Sequence, residues 1–201
     1  MSKSFRDDYN FYPKTWYLPS DYKKFKAYVN QHESAAYILK PTTGGQGTGK
    51  YITKSPEKIN QYKQRICQIY ISKRLATELY ETPEHYNIAD QFMHLTNYSI
   101  NRYNKKYIDN ELFGSKRRFT ALNDWLRSEG YDVKKIWNEI DDIIIKTMIL
   151  AYPFVNHCYQ MCFSGHKYTP PCFEILGFYI ILNENCKPYL MEVKFIYNIV
   201  T

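Results

Sequence analysis

The chain has 201 residues, 44% of them hydrophobic and 17% aromatic, and a formal charge of +7. That much apolar material excludes wholesale disorder, and the length suits one full domain or two small lobes sharing a cleft. No apolar run approaches the length needed to span a bilayer, and the opening MSKSFRDDYNFYP lacks the apolar centre of a signal peptide.

The five cysteines, at 67, 158, 162, 172 and 186, are odd in number and irregularly spaced, as expected in a reducing cytoplasm. His157, Cys158, Cys162 and Cys172 lack the paired spacing of a zinc site, so these thiols are expected to be free and buried. The positive charge favours an acidic partner. Lys105-Lys106 and Lys116-Arg117-Arg118 flank a predicted loop, but charge alone leaves nucleic acid, anionic lipid and acidic polypeptide all open.

In chain order, Pro13 and Pro19 mark extended chain, and Ser20 is the predicted N-cap of a helix with Tyr22, Phe25, Tyr28 and Val29 on one face. Ala35 to Leu39 read as an apolar strand with Lys40 at its end, and Tyr51-Ile52-Thr53 as the returning strand. Ser55-Pro56-Glu57 predict a helix start, with Ile59, Tyr62 and Ile66 at helical spacing, before a short strand at Gln68-Ile69-Tyr70-Ile71. Asp132 is placed to cap a long helix whose stripe runs through Val133, Ile136, Trp137, Ile140, Ile143, Ile144 and Thr147 and which Pro153 is expected to end. Cys172 to Leu182 and Tyr189 to Phe195 predict an antiparallel hairpin, giving an α+β fold.

Between the first two strands, ILKPTTGGQGTGK sets four glycines, Gly44, Gly45, Gly47 and Gly49, after a lysine. Such a loop lets backbone amides converge on an anion while lysine supplies the charge. Gly44-x-x-x-x-Gly49-Lys50 fits the first seven positions of a P-loop. Tyr51 then stands where Ser or Thr should bind Mg²⁺, and a strand follows instead of a helix. A glycine hairpin closing over a triphosphate is the better reading, with an ordinary surface turn as the bland alternative. Two other stretches hold unusual polar groups. MHLTNYSIN, from Met93 to Asn101, alternates hydrogen-bonding and apolar side chains; in Leu190-Met191-Glu192-Val193 a lone carboxylate interrupts an apolar strand and calls for a partner such as Mg²⁺.

ILKP with GGQGTGK, then QIYI, MHLTNYSIN, CFEILGF and PYLMEV, in this order, resemble the tubulin-tyrosine ligase-like family of ATP-grasp amino-acid ligases. FYPKTWYLPSDYKKF is similar to the segment before that family's catalytic core, and the flavour is closest to its polyglutamylase members. The resemblance covers nearly the whole chain. It implies an incomplete ATP-grasp fold, with residues 1–34 preceding the core, 35–71 forming the central lobe with flap and hinge, and 72–201 forming the C-terminal lobe. It also implies ATP and Mg²⁺ as cofactors, glutamate joined to a tubulin carboxylate through an acyl-phosphate, and a place on cytoplasmic, ciliary or axonemal microtubules. The implied partner is tubulin with its acidic C-terminal tails, rather than nucleic acid or membrane.

By the same resemblance, Lys40 reaches the nucleotide phosphates beneath a flap of Gly44, Gly45, Gln46, Gly47 and Gly49. Gln68, Tyr70 and Ile71 form the adenine hinge, and Arg74 lies near the terminal phosphate as the catalytic arginine. His94, Thr96 and Asn97 line the ATP site, and Glu192 holds the metal. Three departures argue against turnover. Tyr179 replaces a metal-binding Asp, Lys194 replaces a metal-binding Asn, and the strands expected between Lys73 and Arg74, with their substrate arginine, are missing. The alternatives to a working ligase are a noncatalytic tubulin-binding pseudoenzyme and a shortened remnant of a ligase gene.

Overall fold

In the computed structural model the described residues are 8–42, 49–71, 81–95, 101–164 and 173–195. Contacts divide the chain into two compact units: Pro13–Tyr131 with Asn183–Cys186, and Met1–Tyr12 with Asp132–Leu182 and Lys187–Thr201.

The first unit is built on a four-stranded antiparallel sheet of β1 (Thr15–Leu18), β4 (Arg65–Ile69), β2 (Tyr37–Pro41) and β3 (Tyr51–Thr53), in that spatial order. Alternation along β2 sends Tyr37 and Leu39 to one face. There they meet Trp16 and Leu18 of β1, Cys67 of β4, and Phe25 of helix α1 (Tyr22–Val29). The rings of Phe25 and Tyr37 pack edge to face at 5.2 Å and those of Trp16 and Phe25 likewise at 5.2 Å, a favourable use of the aromatic quadrupole. On the opposite face Ile38, Ile52, Tyr70 and Leu95 form a second cluster. Helices α2 (Gln91–His94) and α3 (Phe119–Ser128) complete the unit.

In the second unit helix α4 (Val133–Cys162) accompanies a two-stranded antiparallel sheet of β5 (Leu176–Leu182) and β6 (Pro188–Phe195). Asp132 caps α4 as expected, accepting from the Lys135 amide at 3.0 Å. Phe11, Ile143 and Leu190 are its buried centre, and the Leu190 amide donates to the Phe11 carbonyl at 2.9 Å.

Several expectations need correction. The extended chain expected around Pro13 and Pro19 includes a strand, Thr15–Leu18, but the N-cap of α1 is Asp21, not Ser20, whose hydroxyl donates to the Tyr17 carbonyl. Only one 3₁₀ turn, Pro56–Lys58, forms where a helix through Ile66 was expected, because Ile66 pairs with Lys40 in the sheet. Pro153 does not end α4. The helix continues nine residues further, with the ring depriving the Ile149 carbonyl of its usual donor. Cys67 and Cys186 are buried, but Cys158 and Cys162 are exposed, and Cys172 lies outside the described residues.

Candidate functional site

The glycine hairpin has the expected framework. Strands β2 and β3 pair Tyr37 with Thr53, Ile38 with Ile52 and Leu39 with Tyr51, so the loop between them is a sheet connection and not a strand-to-helix P-loop. Gly49 takes the left-handed φ of 72°, which glycine tolerates without strain. Its carbonyl accepts from Arg65 Nη1 at 3.2 Å, and Arg65 lies over the Tyr51 ring. Gly44, Gly45, Gln46 and Gly47 lie outside the described residues.

Register decides what Lys40 meets. Ile38 pairs with Gln68 and Lys40 with Ile66, which makes Lys40 and Gln68 diagonal neighbours on one face. The Lys40 ammonium donates to Gln68 Oε1 at 2.6 Å, and the Gln68 amide donates to Thr15 Oγ1 at 2.9 Å. Gln68 is buried, so its oxygen needs this donor. A lysine held at a sheet face by a buried amide is a positioned charge beside the flap, suited to an anionic ligand.

Tyr70 and His94 are also brought together. His94 is 1% exposed; its Nε2 lies 3.1 Å from the Asn87 carbonyl and its Nδ1 3.3 Å from the Tyr70 hydroxyl. A carbonyl can only accept, so Nε2 carries a proton, and the Tyr70 hydroxyl, also 3.4 Å from the His94 carbonyl, holds the other side of the residue. The Tyr70 amide donates to the Ala36 carbonyl at 2.9 Å, which ties this residue to the start of β2. Strand β4 ends at Ile69, short of the Ile71 expected, and Ile71 lies two residues beyond it, half-buried.

His94 closes one wall of a cleft of about 250 Å³ whose rim carries Lys50 and Asp90. Asp90 accepts from the amides of Phe92 and Met93 at 2.9 and 3.1 Å. Asn87 and Asp90 were not expected here, and Lys50, weighed only as the lysine of a P-loop, lines the cleft as well. Asp90 was visible as an acidic residue just before a helical turn, but Asn87 had no local signal. Arg74, Thr96 and Asn97 lie outside the described residues.

Glu192 belongs to the other unit. On β6 it lies opposite Tyr179 of β5, and Lys194, two residues on, shares its face. The Lys194 ammonium sits 3.4 Å from the Glu192 carboxylate and 4.8 Å from the centre of the Tyr179 ring. A Mg²⁺ ion needs several oxygen donors in near-octahedral array. This face offers one carboxylate, already facing an ammonium, and among the described residues no three His, Cys, Asp or Glu side chains are grouped to hold a metal. The donor set does not fit the ion.

Comparison with known proteins agrees with this picture of a framework with a piece missing. The family model described as the tubulin-tyrosine ligase family matches residues 1–73 and, as a separate segment, 72–196. Mouse (Mus musculus) tubulin polyglutamylase TTLL13 is 39% identical over 229 residues, covering 96% of this chain and 28% of the relative. Human (Homo sapiens) tubulin polyglutamylase TTLL6 is 37% identical over 227 residues, at 96% and 26% coverage. Xenopus tropicalis tubulin polyglutamylase TTLL7 is 34% identical over 235 residues, again at 96% and 26%.

Each alignment is longer than the 201 residues of this chain, so the relatives carry residues that it lacks, and the chain spans less than a third of their length. The split of the family match falls at the junction of Lys73 and Arg74 where the lost strands were expected. With its mixed helix and sheet architecture, an incomplete ATP-grasp-like arrangement, this chain belongs to the tubulin-tyrosine ligase family.

Proposed function

We propose that this chain engages tubulin and an adenine nucleotide in the manner of the polyglutamylases but does not complete glutamate transfer. The observation that carries the reading is the Lys194 ammonium 3.4 Å from Glu192, where a ligase needs a divalent cation. Phosphoryl transfer relies on that cation to neutralise developing charge, and an ammonium beside the carboxylate opposes its binding there. Support for retained nucleotide contact comes from Lys40 on Gln68 beside the flap. Residues 35–71 then act as the central lobe and 72–201 as the C-terminal lobe, with Arg74, Thr96 and Asn97 completing the ATP side. The place of action is the cytoplasmic microtubule cytoskeleton, including the cilium and axoneme.

The test is ATP-dependent incorporation of labelled glutamate into purified tubulin by the purified chain. No incorporation above a chain-free control is expected, and clear incorporation overturns the noncatalytic reading in favour of an ATP-dependent glutamate ligase. That second reading is favoured by the intact β2–β3 flap frame. Sequencing the transcript across codons 73 and 74 separates the two at low effort, since a longer transcript restores the ligase.

A further inference from the structure

The loop before α3 holds two apolar side chains away from the protein by a closed hydrogen-bond frame. The Gly114 amide donates to the Asn110 carbonyl at 2.8 Å, the Ser115 amide to Ile108 at 2.8 Å, and the Arg118 amide to Glu111 at 2.8 Å. Asn110 Oδ1 accepts from the amides of Leu112 and Phe113 at 2.9 and 3.1 Å. Gly114 is buried in this turn, and a Cβ there would run into the Asn110 backbone, lying 2.5 Å from its nitrogen. The frame therefore demands glycine. Yet what it presents, Leu112 and Phe113, is 64% and 63% exposed.

An unstructured loop exposes apolar groups because nothing fixes them; this one fixes them outward. Covering a leucine and a phenylalanine removes apolar surface from water, so a partner gains from both. The surround is cationic. Residues 101–119 carry six basic and two acidic side chains, and Lys105, Lys106, Lys116 and Arg117 are all exposed. Arg117 donates from Nε to the Gly114 carbonyl at 2.9 Å and from Nη2 to Phe113 at 3.3 Å, which fixes one positive charge directly behind the tip.

The geometry points to this turn as a docking surface for an acidic polypeptide that bears an apolar or aromatic side chain: Leu112 and Phe113 anchor the apolar group while Lys105, Lys106, Lys116 and Arg117 meet the carboxylates. An apolar anchor inside a charged rim is the usual anatomy of a protein-binding hot spot, and the basic rim speeds encounter. Glu111 is ion-paired with Arg118 within the loop, so Lys105, Lys106, Lys116 and Arg117 are the cations that the rim presents to an acidic polypeptide. The inference deepens the tubulin reading and rests on it for the identity of the acidic partner, but the surface chemistry is independent of it.

The test uses the whole chain in cosedimentation with stabilised microtubules, with microtubules whose acidic tails have been removed by subtilisin, and with phosphatidylserine vesicles. A labelled glutamate-rich peptide containing one tyrosine serves as a fourth probe. The variants are Leu112→Ser with Phe113→Ser, and Lys105→Glu with Lys106→Glu and Lys116→Glu; Lys23→Glu, Lys26→Glu and Lys63→Glu together control for net charge. All these side chains are exposed or half-buried, and circular dichroism confirms folding.

Microtubule binding that falls about tenfold in both loop variants, falls on tail removal and survives in the control is the expected result. Binding to intact microtubules that the loop variants leave unchanged overturns this inference and leaves the tubulin reading standing. No binding to microtubules overturns the tubulin reading instead; the peptide then decides, with loop-dependent peptide binding supporting the surface and absent peptide binding overturning it. Loop-dependent binding to vesicles alone overturns it in favour of lipid.

Discussion

The Lys40 ammonium donates at 2.6 Å to the side-chain oxygen of Gln68, one strand away in β4. The contact ties a candidate phosphate ligand to a buried amide that in turn holds Thr15 of β1, so three strands share one polar chain. A ligand that drew Lys40 off this oxygen would leave a buried acceptor short of a donor. Nucleotide is therefore expected to be met by Lys40 in place.

Replacing Lys40 by Ala should weaken ATP about tenfold or more, in line with the 1.5–3 kcal/mol of a hydrogen bond to a charged group. Calorimetry with and without Mg²⁺ checks this. The same loss in both conditions is expected, given the poor donor set around Glu192, whereas tight binding that requires Mg²⁺ contradicts the site described here.

Tyr37 is fully buried, and its hydroxyl has no hydrogen-bond partner among the described residues. Removing an unsatisfied buried polar group restores the desolvation it costs, about 1–3 kcal/mol. Tyr37→Phe is thus expected to raise the urea midpoint without changing the slope of the transition. A lowered midpoint would mean that the hydroxyl is satisfied in solution.

Burial pushes the Cys67 thiol up to about 12, and burial, with smaller contributions from Tyr28 and Cys67, pushes the Tyr37 phenol up to about 12. In the unfolded chain these groups ionise near about 8.5 and 10. Above those values the unfolded state binds fewer protons than the folded one, so stability falls as pH rises. The contribution is whole below about pH 8.5 and is lost between there and about 12. Urea titrations at neutral and alkaline pH should show the decline, and it should be shallower in Tyr37→Phe.

Asp132 holds the start of α4 by accepting from the Lys135 amide. Asp132→Ala should cost about 1 kcal/mol, the usual loss of an N-cap, and Asp132→Ser should recover most of it. Thermal unfolding followed at the helix band reads both.

Where the sequence carried strong periodicity, the fold was legible from it. The stripe from Val133 to Thr147 specified α4, and alternation around the glycines specified the β2–β3 pair. Period two also places Glu192 and Lys194 on one strand face. Thr15–Leu18 was legible only as extended chain, because four residues bracketed by prolines give too short a pattern to show that they pair with β4. Ile59, Tyr62 and Ile66 mimic a helix spacing, but long-range pairing of Ile66 with Lys40 overrides it. The Lys40–Gln68 contact could not be read locally. It depends on register between strands 28 residues apart, as His94 depends on an Asn87 carbonyl brought back by a turn.

Helix α4 carries Ile145, Ile149, Tyr152, Phe154, Val155 and Met161 exposed along its later turns. Apolar surface of that extent is what holdase chaperones and quality-control proteases recognise. Where they act on it, the cellular level of this chain is set by its removal as well as by its synthesis. A change in tubulin modification on expressing it can be interpreted only per molecule of surviving protein, and a variant that alters its lifetime will look like one that alters its activity.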